Sequence, residues 1–297
     1  MRGFLKLSKS SPIPALYFLL GELPIEGVLH ARTLGLLHNI ITNPSSTVHG
    51  IVKYILMMCT SNSTTWSTHL QLLCLKYGLP SPLSLLQESP PISKLEWSSL
   101  VKTRVTVWHE QELRRTSTMN SKMKYLNVHL IGLSGRPHPV LHNIVSTQDA
   151  KKLRLHLKFL TCDYMCNELL SKNQPAISAA CELCSAELDS IEHVMVSCKA
   201  LSEVRSRLYP ELVNTVLNVQ PTCQLLQLPP PPWILTQFIL DFTSLNLPES
   251  YRIPAHNPGI SAVWKISRDW CFSVNNERSR LLKNIKKMKT KTTSDPV

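Results

Sequence analysis

Apolar residues recur at steps of three and four along most of the chain, which is the spacing of one face of an α-helix. The first such block predicts two helices within residues 13–42, separated at Pro24. Two more helices are predicted over residues 47–59 and 64–76. We therefore expect this part of the chain to form a small helical bundle around a common apolar core.

Proline and glycine mark the ends of the predicted helices. Gly78 is assigned as a C-cap, because glycine readily adopts the left-handed conformation that ends a helix. The proline-rich stretch 80–91 is expected to be a linker, and residues 94–118 form the next predicted helix. Residues 119–145 are expected to be irregular, and their pattern admits one short strand.

The clearest helical pattern covers residues 147–171, whose apolar side chains lie on one face. The opposite face carries a row of cations, namely Lys151, Arg154 and Lys158. A row of charges on a helix is often no more than a solvated face, and that alternative stays open for this segment taken alone.

The C-terminal third is predicted to be helical and basic. A helix is expected to follow Cys198 and to end near Tyr209, presenting Arg205 and Arg207. Prolines then divide the chain into short pieces before a long final helix over residues 264–291. The lysines that we select there as candidate phosphate contacts are Lys283, Lys286, Lys287 and Lys289.

The composition adds a strong positive charge to this picture. Lysine and arginine together number 32 against 20 aspartates and glutamates, which gives a net charge of +12. Such an excess favours a polyanionic partner, so RNA or DNA bound without sequence preference is the first expectation. An anionic membrane surface is the second, although the chain has no run of 18 apolar residues that would span a membrane.

One stretch carries a metal-binding pattern. Cys181 and Cys184 form a C-x2-C pair, His193 follows after eight residues, and Cys198 follows after four more. Three thiolates and one imidazole satisfy a tetrahedral zinc ion, and the spacing lies within the range of structural zinc sites. Four protein ligands leave no position for an activated water, so the zinc is expected to be structural. The alternative is a set of buried or free thiols beside an ordinary histidine.

The residues between these ligands suit such a site. Asp189 is assigned as the N-cap of a short helix, and Glu192 would complete a capping box in front of His193. The acidic residues of the loop are expected to keep the site near the surface. The total of nine cysteines is odd, which does not fit a small disulfide-linked secreted domain and favours a reducing compartment.

Several segments together resemble the region that follows the polymerase in the reverse transcriptases of non-LTR (LINE-type) retrotransposons. They are LPIEGVLHARTLGLLHNI, YGLPSP, AKKLRLHLKFLTCDY, the C-x2-C-x8-H-x4-C pattern with CKALSEVRSRLYPEL, ILTQFILDFTSLNLP and SRDWCFSVNNERSRLLK. The resemblance covers nearly the whole chain, and the zinc pattern is its most specific part.

The resemblance implies a polyprotein whose endonuclease and polymerase precede this region, and a CCHC knuckle that grips RNA and target DNA. It assigns the zinc ligands to Cys181, Cys184, His193 and Cys198. Polymerase chemistry requires clustered aspartates that hold two metal ions, and no two aspartates are adjacent in this chain. We therefore expect a C-terminal piece of such an element, with no enzymatic activity of its own.

These observations predict a mostly α protein, an irregular multi-helix array with a small CCHC zinc knuckle and a basic C-terminal helix. The expected function is zinc-dependent binding of nucleic acid in the nucleus, since lysine clusters also serve as import signals. The alternative is a zinc-stabilised protein-interaction module with a nuclear-targeting tail. A zinc hydrolase or a cysteine-nucleophile enzyme would need an open metal position or a thiol paired with a base, and neither is visible.

The predicted organisation has four segments. They are a helical linker region (1–91), a helical region ending in a basic amphipathic helix (92–172), the zinc knuckle with its following helix (173–209), and a proline-broken segment with the basic C-terminal helix (210–297).

Overall fold

The computed structural model describes residues 2–5, 7–58, 65–87, 91–129, 132–133, 135–185, 188–219, 230–244 and 258–292. Across these ranges the secondary structure is helical and contains no β-strand. The expectation of a mostly α, irregular multi-helix array is thereby confirmed. The chain forms two compact units, which we call the small unit (residues 21–116 and 133–135) and the large unit (residues 1–20, 117–132 and 136–297).

Twelve α-helices lie within the described residues. In chain order they are α1 (Arg2–Leu5), α2 (Ile13–Leu20), α3 (Ile25–Ile41), α4 (Thr47–Met58), α5 (Trp66–Tyr77), α6 (Pro82–Gln87), α7 (Lys94–Thr118), α8 (Thr147–Leu160), α9 (Asn167–Asn173), α10 (Ser202–Val219), α11 (Pro232–Leu240) and α12 (Pro258–Thr292). None of these helices is long and apolar enough to cross a lipid bilayer.

The small unit is built around one apolar core to which α3, α5, α6 and α7 contribute. Leu34, Leu70 and Trp97 are among its most deeply buried side chains. The Trp97 indole N–H donates to the Leu34 carbonyl at 3.0 Å, so the polar edge of the ring is satisfied inside the core. Apolar stripes of α3, α5 and α7 meet in this core, whereas α2, which was predicted in the same bundle as α3, belongs to the large unit.

The large unit is organised along α12, which packs against α8 on one side and α10 on another. α10 contributes Val204, Leu208, Leu212 and Val216 to this contact face, at steps of four residues. α12 contributes Trp270 and Val274, both almost completely buried. This packing places the basic end of α12 on the same unit as the cysteine motif.

Several predicted helix ends are confirmed. The helix predicted over residues 94–118 coincides with α7. Gly78 is the C-cap of α5 with a φ of 61°, which is the left-handed conformation that its glycine allows. The predicted start of the final helix at residue 264 is wrong, because this helix begins six residues earlier, at Pro258.

The prediction of one continuous helix over residues 147–171 is wrong. α8 and α9 are separate helices, and between them Cys162 has a φ of 50°, which a right-handed helix cannot accommodate. The neighbouring Asp163 carboxylate accepts hydrogen bonds from Ser10 at 2.8 Å and from Lys122 at 3.2 Å. Contacts with residues distant in sequence therefore replace the next helical turn.

Three further segments differ from expectation. The linker predicted over residues 80–91 contains α6. The helix expected to end at Tyr209 continues through Pro210 to Val219, because its buried stripe against α12 outweighs the hydrogen bond that the proline removes. The described residues of the irregular segment 119–145 form 3₁₀ turns at Ser121–Met123 and Pro139–Leu141 rather than a strand.

Candidate metal centre

Cys181, Cys184, His193 and Cys198 lie together in the large unit. Each offers one ligand atom, and the four atoms lie within 4.8 Å of one another. The sulfurs of Cys181 and Cys198 are 3.9 Å apart, and the Cys184 sulfur is 3.4 Å from Nε2 of His193. Two sulfurs bound to a tetrahedral ion by bonds of about 2.3 Å are about 3.8 Å apart. The cluster therefore has the size needed to hold one metal ion.

A single turn of π-helix, His193–Ser197, brings His193 and Cys198 to the same side. The Cys198 N–H donates to the His193 carbonyl at 2.7 Å, a bond between residues five positions apart. In an α-helix, residues five apart differ by about 140° around the axis, so an ordinary turn would direct the two ligands away from each other. The wider π turn, which is frequent at functional sites, avoids this.

The C-x2-C pair lies on a tight turn in which Ser185 donates its N–H to the Cys181 carbonyl at 2.8 Å. The backbone N–H groups of Cys184 and Leu183 donate to the Cys181 sulfur. Burial raises the pKa of the Cys181 thiol to about 12, and these two N–H groups act in the opposite direction. A bound cation favours the thiolate as the N–H groups do, so metal binding at this site releases protons.

The predicted capping box is wrong. The side chain that binds the first amide of the turn is Ser190, whose hydroxyl accepts a hydrogen bond from the His193 N–H at 3.1 Å. Asp189 is fully buried instead. Its Oδ2 accepts hydrogen bonds from the Asn167 N–H at 2.7 Å and from the Arg278 guanidinium at 2.6 Å. The carboxylate thus has a charged partner in place of the expected helix amide.

The expectation of a site near the surface is confirmed on the side of Cys184, where Glu182 and Ser185 are exposed, and is wrong on the side of His193. Three of the four ligands are no more than 3 % exposed, and Cys184 is half-buried. The π turn packs against α11 and α12, and the Trp270 indole N–H donates to the Met195 carbonyl at 3.2 Å. Helices that come later in the chain cover the site, which the composition of the loop does not reveal.

Comparisons with protein-family models, with curated proteins and with solved structures find no match. The geometry of the site is therefore the basis for its interpretation. The chain holds a Cys3His cluster that can bind a metal ion.

Arg205, one of the predicted phosphate contacts, supports this cluster. Its guanidinium donates to the Cys198 carbonyl at 2.5 Å, and its side chain is half-buried. Burial lowers the pKa of the guanidinium, and the nearby Cys198 acts in the opposite direction. The residue therefore links α10 to the last metal ligand, and its contact with nucleic acid stays a prediction.

The other predicted cations form two groups. On α8, Lys151 and Lys158 are exposed and Arg154 is half-buried. On α10 and α12, the exposed cations are Arg207, Lys283, Lys286 and Lys287, while the side chain of Lys289 lies outside the described residues. Lys152, beside the first group, pairs with Asp269, and a helix rises about 20 Å between positions 269 and 283. Lys151 and Arg154 therefore lie well before the lysines at the end of α12.

Sequence reasoning missed two residues that connect α12 to the site, Trp270 and Arg278. Arg278 follows Val274 by four residues on the apolar face of the predicted final helix. A charged residue in such a position indicates a buried, oppositely charged partner. The partner, Asp189, lies 89 residues away, and nothing in the local pattern identifies it.

Proposed function

We propose that this protein is a zinc-dependent nucleic-acid-binding module that grips RNA or DNA without sequence preference and without catalysis of its own. The Cys3His cluster, on the same unit as an exposed basic helix end, is the observation that carries the proposal. In this proposal the chain corresponds to the region that follows the polymerase in a non-LTR retrotransposon reverse transcriptase, and it acts in the nucleus.

The donor set supports zinc as the metal. Three cysteine sulfurs and one imidazole within 4.8 Å of one another match the ligand set of structural zinc sites, whereas calcium and magnesium require oxygen ligands. With all four positions taken by the protein, the ion has a structural role. It would hold the C-x2-C turn against the π turn.

The exposed cations support a polyanionic partner. Lys283, Lys286 and Lys287 follow one another on the end of α12. Arg207 of α10 lies close to Glu277 of α12, about two to three turns before these lysines. Cations arranged in this way neutralise successive phosphates and carry no base-specific information, so the expected binding is tight at low salt and insensitive to sequence.

An electrophoretic shift with single-stranded RNA across a series of salt concentrations tests the proposal. We expect the affinity of the zinc-loaded chain to fall steeply with salt, because binding releases counterions from the phosphates. The triple variant Lys283→Gln, Lys286→Gln, Lys287→Gln should reduce the slope of log affinity against log salt by about 2, at about 0.7 per lost phosphate contact.

The matched control replaces three exposed lysines of the small unit, Lys53, Lys94 and Lys102, by glutamine. It removes the same charge and should leave the slope nearly unchanged. If both triple variants reduce the slope equally, the binding depends on net charge alone, and the proposed role of the α12 end is rejected.

A zinc-stabilised protein-interaction module with a nuclear-targeting tail is the second candidate, and α4 favours it. Ile51, Tyr54 and Met58 lie on one face of α4 and are 54 %, 65 % and 64 % exposed. The opposite face is buried through Val52 and Leu56. An exposed apolar face on a helix marks a site for protein contact. This candidate predicts no salt-sensitive shift with RNA or DNA.

A further inference from the structure

The buried ion pair between Asp189 and Arg278 joins α12 to the loop that carries the candidate metal ligands. Asp189 is fully buried and Arg278 is 8 % exposed. Their nearest charged atoms are 2.6 Å apart. The Arg278 guanidinium also donates to the Tyr164 hydroxyl and to the Met165 carbonyl, each at 3.4 Å. One side chain of α12 therefore contacts both the ligand loop and the segment that precedes α9.

Asp189 makes three hydrogen bonds that hold the ligand loop, which we define as residues 180–189. Its backbone N–H donates to the Ala179 carbonyl at 2.9 Å, and its carbonyl accepts from the Glu168 N–H at 3.1 Å. Its carboxylate accepts from the Asn167 N–H, and the Asn167 side chain donates to the Ala180 carbonyl at 2.9 Å. Ala180 directly precedes the first ligand, so Asp189 and Asn167 together hold both ends of the loop from residue 180 to residue 189.

The orientation of this carboxylate depends on Arg278. An unpaired buried carboxylate is strongly unfavourable, so without the guanidinium it would turn towards solvent or take up a proton. Either change weakens its bond to the Asn167 amide and releases the loop that presents the ligands.

We propose that Asp189 and Arg278 form a positioning pair that sets the metal affinity of the Cys3His cluster and couples metal occupancy to the order of α12. The inference rests on the proposed metal centre and adds the element that responds to it. Because coupling of two equilibria is reciprocal, the metal stabilises the turns of α12 around Arg278 as much as those turns favour the metal.

Competition between the 297-residue chain and a chelator for Co²⁺ tests the pair, and the thiolate-to-cobalt charge-transfer absorption reports how much cobalt the protein binds. We expect Arg278→Gln and Asp189→Asn each to weaken cobalt binding about tenfold or more, the range found for residues that orient metal ligands. The double variant should lose no more cobalt affinity than the single variant that binds cobalt more weakly, because the two side chains act as one unit. The charge-matched control Arg280→Gln, whose residue pairs with Glu277 on the exposed side of α12, should bind as the wild type does.

Two measurements distinguish a specific effect of the ion pair on metal affinity from a general loss of folding. Arg278→Lys keeps a buried cation but lacks the planar fork of arginine, and we expect an intermediate affinity. Where far-UV circular dichroism shows lost helix in the metal-free variant, excess cobalt should restore it, and no recovery at any concentration rejects the proposal.

Hydrogen exchange measures the reverse effect, that of the bound metal on the order of α12. Cobalt should increase the protection of the α12 amides around Arg278 in the wild type and not in Asp189→Asn. Wild-type affinity in Arg278→Gln, or a double variant whose loss equals the product of the single losses, overturns the inference. Failure of the wild type itself to bind cobalt is a different result, because it rejects the metal centre and therefore the proposed function.

Discussion

His156 illustrates how burial determines the chemistry of a single residue in this fold. Its side chain is fully buried, and its Nε2–H donates to the Leu240 carbonyl at 2.7 Å. Burial lowers the pKa of the imidazole to about 4, although the hydrogen bond to Leu240 acts in the opposite direction. A histidine in the unfolded chain has a pKa of about 6.5, so the unfolded state binds the proton first as the pH falls.

We therefore expect the stabilising contribution of neutral His156 to be complete above about pH 6.5 and to be lost as the pH falls towards 4. As the pH falls from 7 to 5, protonation of this residue in the unfolded chain should lower the free energy of unfolding by about 2 kcal/mol. His156→Gln keeps an N–H donor for Leu240 and does not titrate, so it should lose about 2 kcal/mol less over the same interval. Urea unfolding at the two pH values measures the difference, and equal losses in both proteins would disprove this assignment.

At the same scale, the sequence identifies the four residues that could hold a metal ion but not the residues that position them. The spacing of the three cysteines and the histidine is a local property, and the four ligand atoms do lie together. The N-cap is not decided by local rules alone, because Arg278 from a distant helix binds the Asp189 carboxylate and leaves the capping role to Ser190. The position of Arg278 on an apolar face indicates that a buried partner exists, but nothing in the local sequence identifies Asp189 as that partner.

At the scale of elements, α3 shows two glycines with opposite environments. A Cβ at Gly27 would lie 2.8 Å from Cδ2 of His109 and 2.9 Å from Cγ of Leu23, whereas a Cβ at Gly35 would meet nothing within 4 Å. Both residues are helical, so the intrinsic preference of the helix for alanine is similar at the two sites. The close approach of α7 to α3 is what distinguishes them.

Gly27→Ala should therefore destabilise the small unit by about 1–3 kcal/mol through overpacking against the His109 ring. Gly35→Ala is the matched control and should stabilise the same helix by up to about 1 kcal/mol. Thermal unfolding of the two variants and the wild type measures both effects. A Gly27→Ala variant as stable as Gly35→Ala would show that the His109 ring moves aside freely.

Helices whose apolar stripe is regular can be predicted from the sequence, and those altered by tertiary contacts cannot. α7 is predicted with the correct ends because Trp97, Val101 and Val105 form an unbroken stripe towards the core. The break after α8 depends on Asp163 binding Ser10 and Lys122. The π turn between His193 and Cys198 is likewise selected by the packing of α11 and α12, and the apolar pattern alone reads as an ordinary helix start.

At the scale of the whole molecule, some of the cations pair with acidic residues inside the fold, and others lie exposed on its helices. Several cations are bound within the fold, including Arg278 with Asp189 and Lys122 with Asp163. Others remain exposed on α8 and at the end of α12. Composition predicts the total charge of +12, but the division between structural and exposed cations depends on which helices pack together.

The proposed metal centre requires four side chains that close around one ion, and the metal content of the purified 297-residue chain shows whether they do. Mass spectrometric analysis of metals in protein from zinc-supplemented cells should give one zinc per chain. Cys162→Ser, whose thiol lies outside the cluster, should retain the zinc, whereas Cys184→Ser and Cys198→Ser should lose most of it. A wild-type chain without zinc, or ligand variants that keep as much zinc as the wild type, would contradict the proposed zinc centre.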